Sequence, residues 1–293
     1  MRSFALAKYR MFIQGIASLL SNIQVPNFFT GEIYRGPSKV ACVPGLNCYS
    51  CPGAIGSCPI GALQATIGSS KFNLAYYITG TIILFGVLFG RFICGFLCPF
   101  GWFQDLLHKI PSKKLSTKTL YALRYVKYII LIVFVILLPL VLVNEVGLSN
   151  PYFCKLICPQ GILQGAIPLS IVNPNIRATL GPLFTWKAFI LLICIVLSVC
   201  FFRPFCKWIC PLGALYSLCN RISLLQLKIN PHTCINCGKC AKSCKMDVDV
   251  RKNQSHPECI RCGMCITACP TKSLSYSYGF NKGLTTKEKQ YEQ

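Results

Sequence analysis

The feature that most constrains this chain is a short repeat. C-P-x-G recurs at Cys58, Cys98, Cys158 and Cys210, at spacings of 40, 60 and 52 residues. Three copies carry a second cysteine four positions earlier. Cys94 precedes Cys98 in FICGFLCPFG, Cys154 precedes Cys158 in FCKLICPQG, and Cys206 precedes Cys210 in FCKWICPLG. The first copy, CPIGALQ, is looser: its partner is Cys51 or Cys48, because position 54 is alanine. The repeats adjoin long apolar runs, such as the 19 uncharged residues from Phe72 to Gly90. Internal repetition at long spacing means one structural unit used several times. Here the unit is an apolar helix with two thiols at its end.

The chain is 53% hydrophobic and only 13% charged, against about 25% charged in an average soluble domain. Four apolar runs approach the roughly 20 residues that a bilayer needs: Met11–Phe29, 72–92, 126–145 and 183–203. No small-residue cleavage site follows the first, so it reads as a membrane helix and not as a signal peptide. Gly/Pro-rich loops fill 30–71 and 146–182. The net charge of +22 suggests nucleic acid at first sight. Its lysines and arginines are dispersed among the loops, however, which is a membrane-orientation signature and argues against a nucleic-acid partner. The segment 93–127 holds six Lys/Arg in 35 residues, against three in 42 for 30–71 and two in 37 for 146–182. The positive-inside rule therefore predicts a multi-pass protein of the cytoplasmic membrane with 93–127 and both termini in the cytoplasm.

That orientation sorts the cysteines. Cys94, Cys98, Cys206 and Cys210 fall at the cytoplasmic side, and each pair follows an arginine, Arg91 or Arg203. Cys48, Cys51, Cys58, Cys154 and Cys158 fall at the outer side. Twenty-one cysteines in a long apolar chain fit metal ligation better than a disulfide scaffold, which belongs to short secreted chains. Cysteines two or three residues apart also rarely meet the span of a disulfide. On the oxidising outer face, disulfides among Cys42, Cys48, Cys51 and Cys58 remain the competing arrangement. The outer set expected from spacing is Cys51, Cys58, Cys154 and Cys158, with Cys48 as the alternative to Cys51.

From about residue 226 the composition changes. CINCGKCAKSC carries Cys234, Cys237, Cys240 and Cys244, and CIRCGMCITACP carries Cys259, Cys262, Cys265 and Cys269. This is C-x2-C-x2-C-x3-C twice, the run that holds two [4Fe-4S] clusters in bacterial ferredoxins. Three cysteines wrap one face of a cubane and the fourth crosses to its neighbour. The expected sets are Cys234, Cys237, Cys240 and Cys269 for one cluster, and Cys259, Cys262, Cys265 and Cys244 for the other. Lys245 stands where the first run usually has proline. Structural zinc is the competing reading, though zinc knots rarely repeat this spacing in tandem. Four clusters of about −2 each when oxidised, counted from four thiolates and the core, would offset part of the basic charge.

Cys194, Cys200 and Cys219 lack the pattern and read as buried apolar side chains. No histidine lies in an apolar run, as a haem would require, and no P-loop, dinucleotide glycine motif or catalytic triad occurs. The fold expected is a membrane all-α protein of about four transmembrane helices, residues 1–225. A small α+β, bacterial-ferredoxin-like domain at 226–282 and a polar tail at 283–293 follow it.

With GRFICGFLCPFG, PFCKWICPLG and the eight tail cysteines in hand, the chain resembles the membrane polyferredoxins of the NapH/NosR type over nearly its whole length. The resemblance implies four [4Fe-4S] clusters and electron transfer across or along a membrane. It implies a cytoplasmic donor, such as a ferredoxin or an oxidoreductase, and an extracytoplasmic acceptor, such as a flavoprotein. A quinol dehydrogenase subunit is the second reading, with Gln104, Asp105 and His108 as the polar group nearest a cluster. A cluster-based redox sensor or assembly factor is the third. The Cys48–Cys58 segment and the Cys154/Cys158 pair depart from the simplest pattern and favour a relay through the bilayer. One physical obstacle is distance: the hydrocarbon core is about 30 Å thick, so either the loops dip inward or another cofactor lies between the two membrane clusters.

Overall fold

A computed structural model describes residues 2–69, 75–143 and 149–279. In hydrocarbon a backbone must satisfy its own hydrogen bonds, and a helix does this within one segment. The longer helices are α1 (Arg2–Ser21), α2 (Pro59–Ile67), α3 (Ala75–Phe89), α4 (Pro99–Leu107), α5 (Tyr121–Val141), α6 (Ile162–Val172), α7 (Pro182–Cys200) and α8 (Pro211–Cys219). Two short strands, β1 (Leu225–Ile229) and β2 (Leu274–Tyr278), pair antiparallel with Leu225 opposite Tyr278 and close the C-terminal unit. The polar tail expected at 283–293 lies outside the described residues.

Among the described residues, α5 and α7 are long and apolar enough to cross a membrane. Both α5 and α6 contain a π-helical stretch, Leu131–Leu137 and Ile162–Ala166. Each stretch comes just before a proline, Pro139 or Pro168. A proline ring clashes with the carbonyl four residues back, and a wider turn there is the usual relief.

The expected helix boundaries shift. The run 183–203 matches α7 closely. The run 126–145 forms the body of α5, with 144–145 outside the described residues. The run 72–92 yields α3, which ends at Phe89, before Gly90 at φ 54°, with 72–74 outside the described residues. The first run is displaced most. Helix α1 starts at Arg2 and stops at Ser21, and Asn27–Thr30 is a separate turn.

Helix α1 also carries its polarity on the inside. Arg10, Gln14 and Ser18, four apart, are buried against the protein, while Phe12, Ile16, Leu19 and Leu20 face outward. That is the reverse of a soluble amphipathic helix, and it suits a lipid surround. The apolar exterior continues over Ile83 and Leu84 of α3, Ile132 and Leu140 of α5, and Phe189 and Leu192 of α7. An apolar belt of this extent marks membrane association.

Inside the belt lies a buried ion cluster. Asp105 on α4 accepts from Arg203 at Nε (2.8 Å) and Nη2 (2.5 Å) and pairs with Arg10 at 2.9 Å. Gln14 adds an acceptor to Arg203 Nη2 at 3.3 Å. Removing one partner of a buried ion group leaves uncompensated charge and costs about 3–5 kcal/mol. Asp105→Ala should therefore lower the thermal midpoint of the detergent-solubilised protein sharply, and Asp105→Glu much less. Equal stability of the alanine variant and the wild type would show that Asp105 does not carry the cluster.

Candidate metal centres

The same backbone device presents the cysteines in each repeat. A single helical turn holds the first cysteine: Phe92–Phe96, Tyr152–Leu156 or Pro204–Trp208. One carbonyl in each turn accepts two amides, including that of the second cysteine. Ile93 O accepts from Leu97 N and Cys98 N, Phe153 O from Ile157 N and Cys158 N, and Phe205 O from Ile209 N and Cys210 N. Proline after Cys58, Cys98 or Cys210 then starts a helix at its first position, where the missing N–H does no harm. The thiol thus sits at a helix N-terminus, and Gly213 N donates to Cys210 Sγ at 3.4 Å. Gly61 N–H and Gly101 N–H face the Cys58 and Cys98 sulfurs in the same way.

Cys94, Cys98, Cys206 and Cys210 are buried together and interact electrostatically with one another. Two arginines, each 0% exposed, hold the halves reciprocally. Arg91, from the first half, donates through Nη2 to the carbonyl of Cys206 at 3.0 Å. Arg203, from the second half, donates through Nη1 to the carbonyl of Cys94. Gln104 Nε2 adds a hydrogen bond to Cys206 Sγ at 3.1 Å. Buried cations and amide donors around four thiols suit an anionic cluster.

The outer cysteines form a second group. Cys154 and Cys158 interact with each other, with Cys58 and with Cys48. The helix-end glutamines cross over as Gln104 does. Gln64 bonds Cys154 Sγ at 3.3 Å and Phe153 N at 2.9 Å, and Gln164 accepts from Cys48 N at 3.1 Å. Cys48 therefore occupies the place of a first repeat cysteine. Cys51 is buried beside it but donates to Asn22 Oδ1 at 3.3 Å. Sequence reading missed Gln64 and Gln164, and it considered Gln104 for a quinone and not as a partner of Cys206. Their signal is a longer repeat, C-P-x-G-x-x-Q, in the copies at Cys58, Cys98 and Cys158.

In the tail, Cys234, Cys237, Cys240 and Cys269 line one cavity. Cys259, Cys262, Cys265 and Cys244 form a second interacting group. The tail is locked to the membrane unit on the Cys259 side. Asn220 Nδ2 donates to Cys259 O at 3.1 Å, and Arg261 donates to Phe89 O at 3.0 Å. A Cβ on Gly95 would come within 2.6 Å of Ile260 O. Glu258, next to Cys259, takes Arg91 at 2.5 Å and also Lys127. Burial alone would raise the Glu258 pKa, but the two cations outweigh it and hold the carboxyl at about 2.

Helix α1 serves as a ruler for the arrangement. Ala7 meets Gly263 of the tail, Gln14 meets Arg203, and Ser21 O accepts from Ile55 N and Asn47 Nδ2 in the outer loop. At 1.5 Å rise per residue, the outer loop lies only about 10 Å beyond the level of Arg203. The loop itself closes that gap. Leu46 N–H faces the Cys98 sulfur, and the next amide, Asn47 N–H, faces Cys58. Consecutive Cα atoms are about 3.8 Å apart, so one short stretch of this loop lies between the two groups. Tyr216 anchors the loop through a 2.8 Å bond to Pro44 O.

Among the described residues, no three His, Cys, Asp or Glu side chains close around a single metal ion. Tetrahedral zinc draws its sulfurs to about 2.3 Å from one centre. A [4Fe-4S] cubane takes four thiolates, and each of the groups brings four thiols together. Of the polar residues considered for quinone, Gln104 and Asp105 are engaged by Cys206 and by the arginines. His108 packs edge-on against Phe202.

Comparison with known proteins agrees with this chemistry. Residues 74–118, 128–169 and 183–231 match the family described as 4Fe-4S binding domain, and 226–270 the 4Fe-4S dicluster domain. An uncharacterized protein of Methanocaldococcus jannaschii is 32% identical over 75% of this chain and 84% of its own length. YccM of Escherichia coli, named as a candidate electron transport protein, is 26% identical over 58% of this chain and 45% of its own. The regulatory protein NosR of Stutzerimonas stutzeri is 25% identical over 63% of this chain and 24% of its own. No solved structure matches. The chain belongs to the family of membrane-associated 4Fe-4S ferredoxin proteins of the NapH/NosR type.

A Cβ on Gly45 would stand 2.9 Å from Cys98 Cα and 3.1 Å from Leu97 O. Gly45→Ala must therefore push the loop off the Cys98 turn, at a cost of about 1–3 kcal/mol. Iron of the membrane unit should become labile to a chelator while the tail's iron is retained. An unchanged chelation time course would show that the close approach at Gly45 is dispensable.

Proposed function

We propose that the chain is a transmembrane electron relay. It would take electrons from a cytoplasmic donor, such as a ferredoxin or an oxidoreductase, and deliver them to an extracytoplasmic acceptor, such as a flavoprotein. Four [4Fe-4S] clusters would supply one-electron redox chemistry at the four thiol groups. The ligand sets proposed are Cys234/Cys237/Cys240/Cys269, Cys259/Cys262/Cys265/Cys244, Cys94/Cys98/Cys206/Cys210 and Cys48/Cys58/Cys154/Cys158. Cys48 is chosen over Cys51 because Gln164 holds it in the repeat position while Cys51 turns to Asn22.

The observation that carries this reading is the unbroken order of the groups. Tail and inner groups meet where Gly95 abuts Ile260, and inner and outer groups meet at Leu46–Asn47. A protein that used its clusters singly, as sensors, would have no need for the order. Four crossings with cytoplasmic termini remain part of the proposal, and the course of α1 from the tail to the outer loop supports them. The division into 1–225 and 226–282 is part of it as well.

The protein's residues set the environment of each group. Arg91 and Arg203 place positive charge at the inner thiols, and Lys187 Nζ donates to Cys154 O at 3.1 Å in the outer group. The surrounding apolar side chains exclude water. Both terms tune potential.

Iron and acid-labile sulfide on anaerobically purified protein test the assignment. The wild type should hold about sixteen irons per chain, and Cys154→Ser/Cys158→Ser about twelve. Cys48→Ser should fall to about twelve as well, and Cys51→Ser should keep the full complement. Twelve irons in wild type and double variant alike would remove the outer cluster and, with it, the relay through the membrane.

A further inference from the structure

The tail has an outward end that the relay itself does not explain. The Cys259 group faces the membrane unit through Ile260 and Asn220. The Cys234 group is the distal one, and Cys237 is exposed. Ile235, beside it, is 64% exposed.

Around these two residues positive charge predominates. Lys239, Lys242 and Lys252 are exposed. Arg251 packs over Gly238 and donates to Asn236 O at 3.2 Å and Oδ1 at 2.7 Å, beside Cys234 and Cys240. The tail from 226 to 279 has three acidic residues, Asp247, Asp249 and Glu258, and all three are ion-paired. Asp247 pairs with Lys207 of the membrane unit, Asp249 with Arg251, and Glu258 with Arg91 and Lys127. Two of the three carboxylates are thus turned toward the membrane unit, and the third, Asp249, offsets Arg251, which leaves Lys239, Lys242 and Lys252 as the net positive charge of the distal end.

We infer that this end is a docking face for an acidic, soluble one-electron carrier, with Ile235 at its centre and Lys239, Lys242, Arg251 and Lys252 around it. The inference rests on the relay reading and names the partner's chemistry and its landing point. A small apolar centre with a charged rim suits a transient redox encounter, in which complementary charge sets orientation and on-rate more than affinity. The position argues for a protein over a lipid surface: the patch lies at the end of the tail remote from α3 and α4. In the docked pair one electron leaves the carrier, which is oxidised by one electron, and the Cys234 cluster is reduced by one. No bond or proton changes hands.

The test is stopped-flow reduction of the purified holoprotein, read at the tail clusters, with a reduced, strongly acidic ferredoxin as donor. Methyl viologen radical cation serves as a second reductant of opposite charge. Lys239→Glu/Lys242→Glu is compared with Lys113→Glu/Lys118→Glu, which makes the same charge change at exposed positions of the 93–127 segment. Iron content checks that both variants are loaded. At low ionic strength the tail variant should slow the ferredoxin about tenfold or more while leaving the viologen rate unchanged or raised. The difference should vanish at about 1 M salt, where the screening length is about 3 Å. Equal slowing by the control variant would assign the effect to the general positive field and overturn the docking face. Slowing with both reductants would assign it to the cluster and overturn it too. Lost binding to anionic vesicles with an unchanged ferredoxin rate would identify a lipid surface instead. Because reduction is read at the tail, a failure of onward transfer would defeat the relay without touching this result.

Discussion

The structure depends on the reciprocal hold of two buried arginines. Arg91 and Arg203 each reach across to the cysteine turn of the other half, so neither pair of inner thiols is placed by its own helix alone. A buried guanidinium is tolerable only with a counter-charge. The two carboxylates come from different parts of the chain: Asp105 from the helix after the first pair, and Glu258 from the tail. The membrane unit is therefore not electrostatically complete until the tail has folded onto it. A well-packed apolar substitute can match or exceed the stability of such a buried ion group. What the charges supply here is geometry: they fix the two halves, and they fix the tail's inner cluster site against the membrane site.

Much of this was legible from spacing. The two tail runs and the three C-x3-C-P pairs announced their groups because iron ligation demands short, fixed intervals. The inner group needed one further step, the orientation read from loop charge, since Cys94 and Cys206 are far apart in sequence. Helix α1 was only half legible. A hydropathy window averages around a helix, and Arg10, Gln14 and Ser18 lower the average although they face inward. The choice between Cys48 and Cys51 was not legible at all. An extended loop separates Cys48 from Cys58, so no fixed interval marks the pair, and only the hydrogen bond from Cys48 N to Gln164 singles it out. Glu258 was equally hidden, because a carboxylate beside a tail cysteine says nothing of an arginine 167 residues away.

On the relay proposed above, the thickness of a bilayer sets the hardest condition, and the loop at Pro44–Asn47 would meet it. Irregular backbone is allowed at membrane depth only where protein buries it. Leu46 and Asn47 are buried at 2% and 0% exposure, and Gly45 lets the chain press against the Cys98 turn without a side chain in the way. The loop is held there from both sides, by Tyr216 at Pro44 O and by Asn47 Nδ2 at Ser21 O.

The break in the glutamine repeat belongs to the same joint. Three copies end on glutamine, and each of those glutamines crosses to the opposite cysteine turn of its own group. The fourth copy, CPLGALY, has Tyr216 in that place. A glutamine there would have closed the inner group symmetrically. The tyrosine is longer, and it interacts electrostatically with cysteines of both membrane groups, Cys94, Cys98 and Cys58. Its hydroxyl goes to Pro44 O, at the root of the dipping loop. The departure from internal symmetry thus falls where a symmetric inner site must be tied to an outer one.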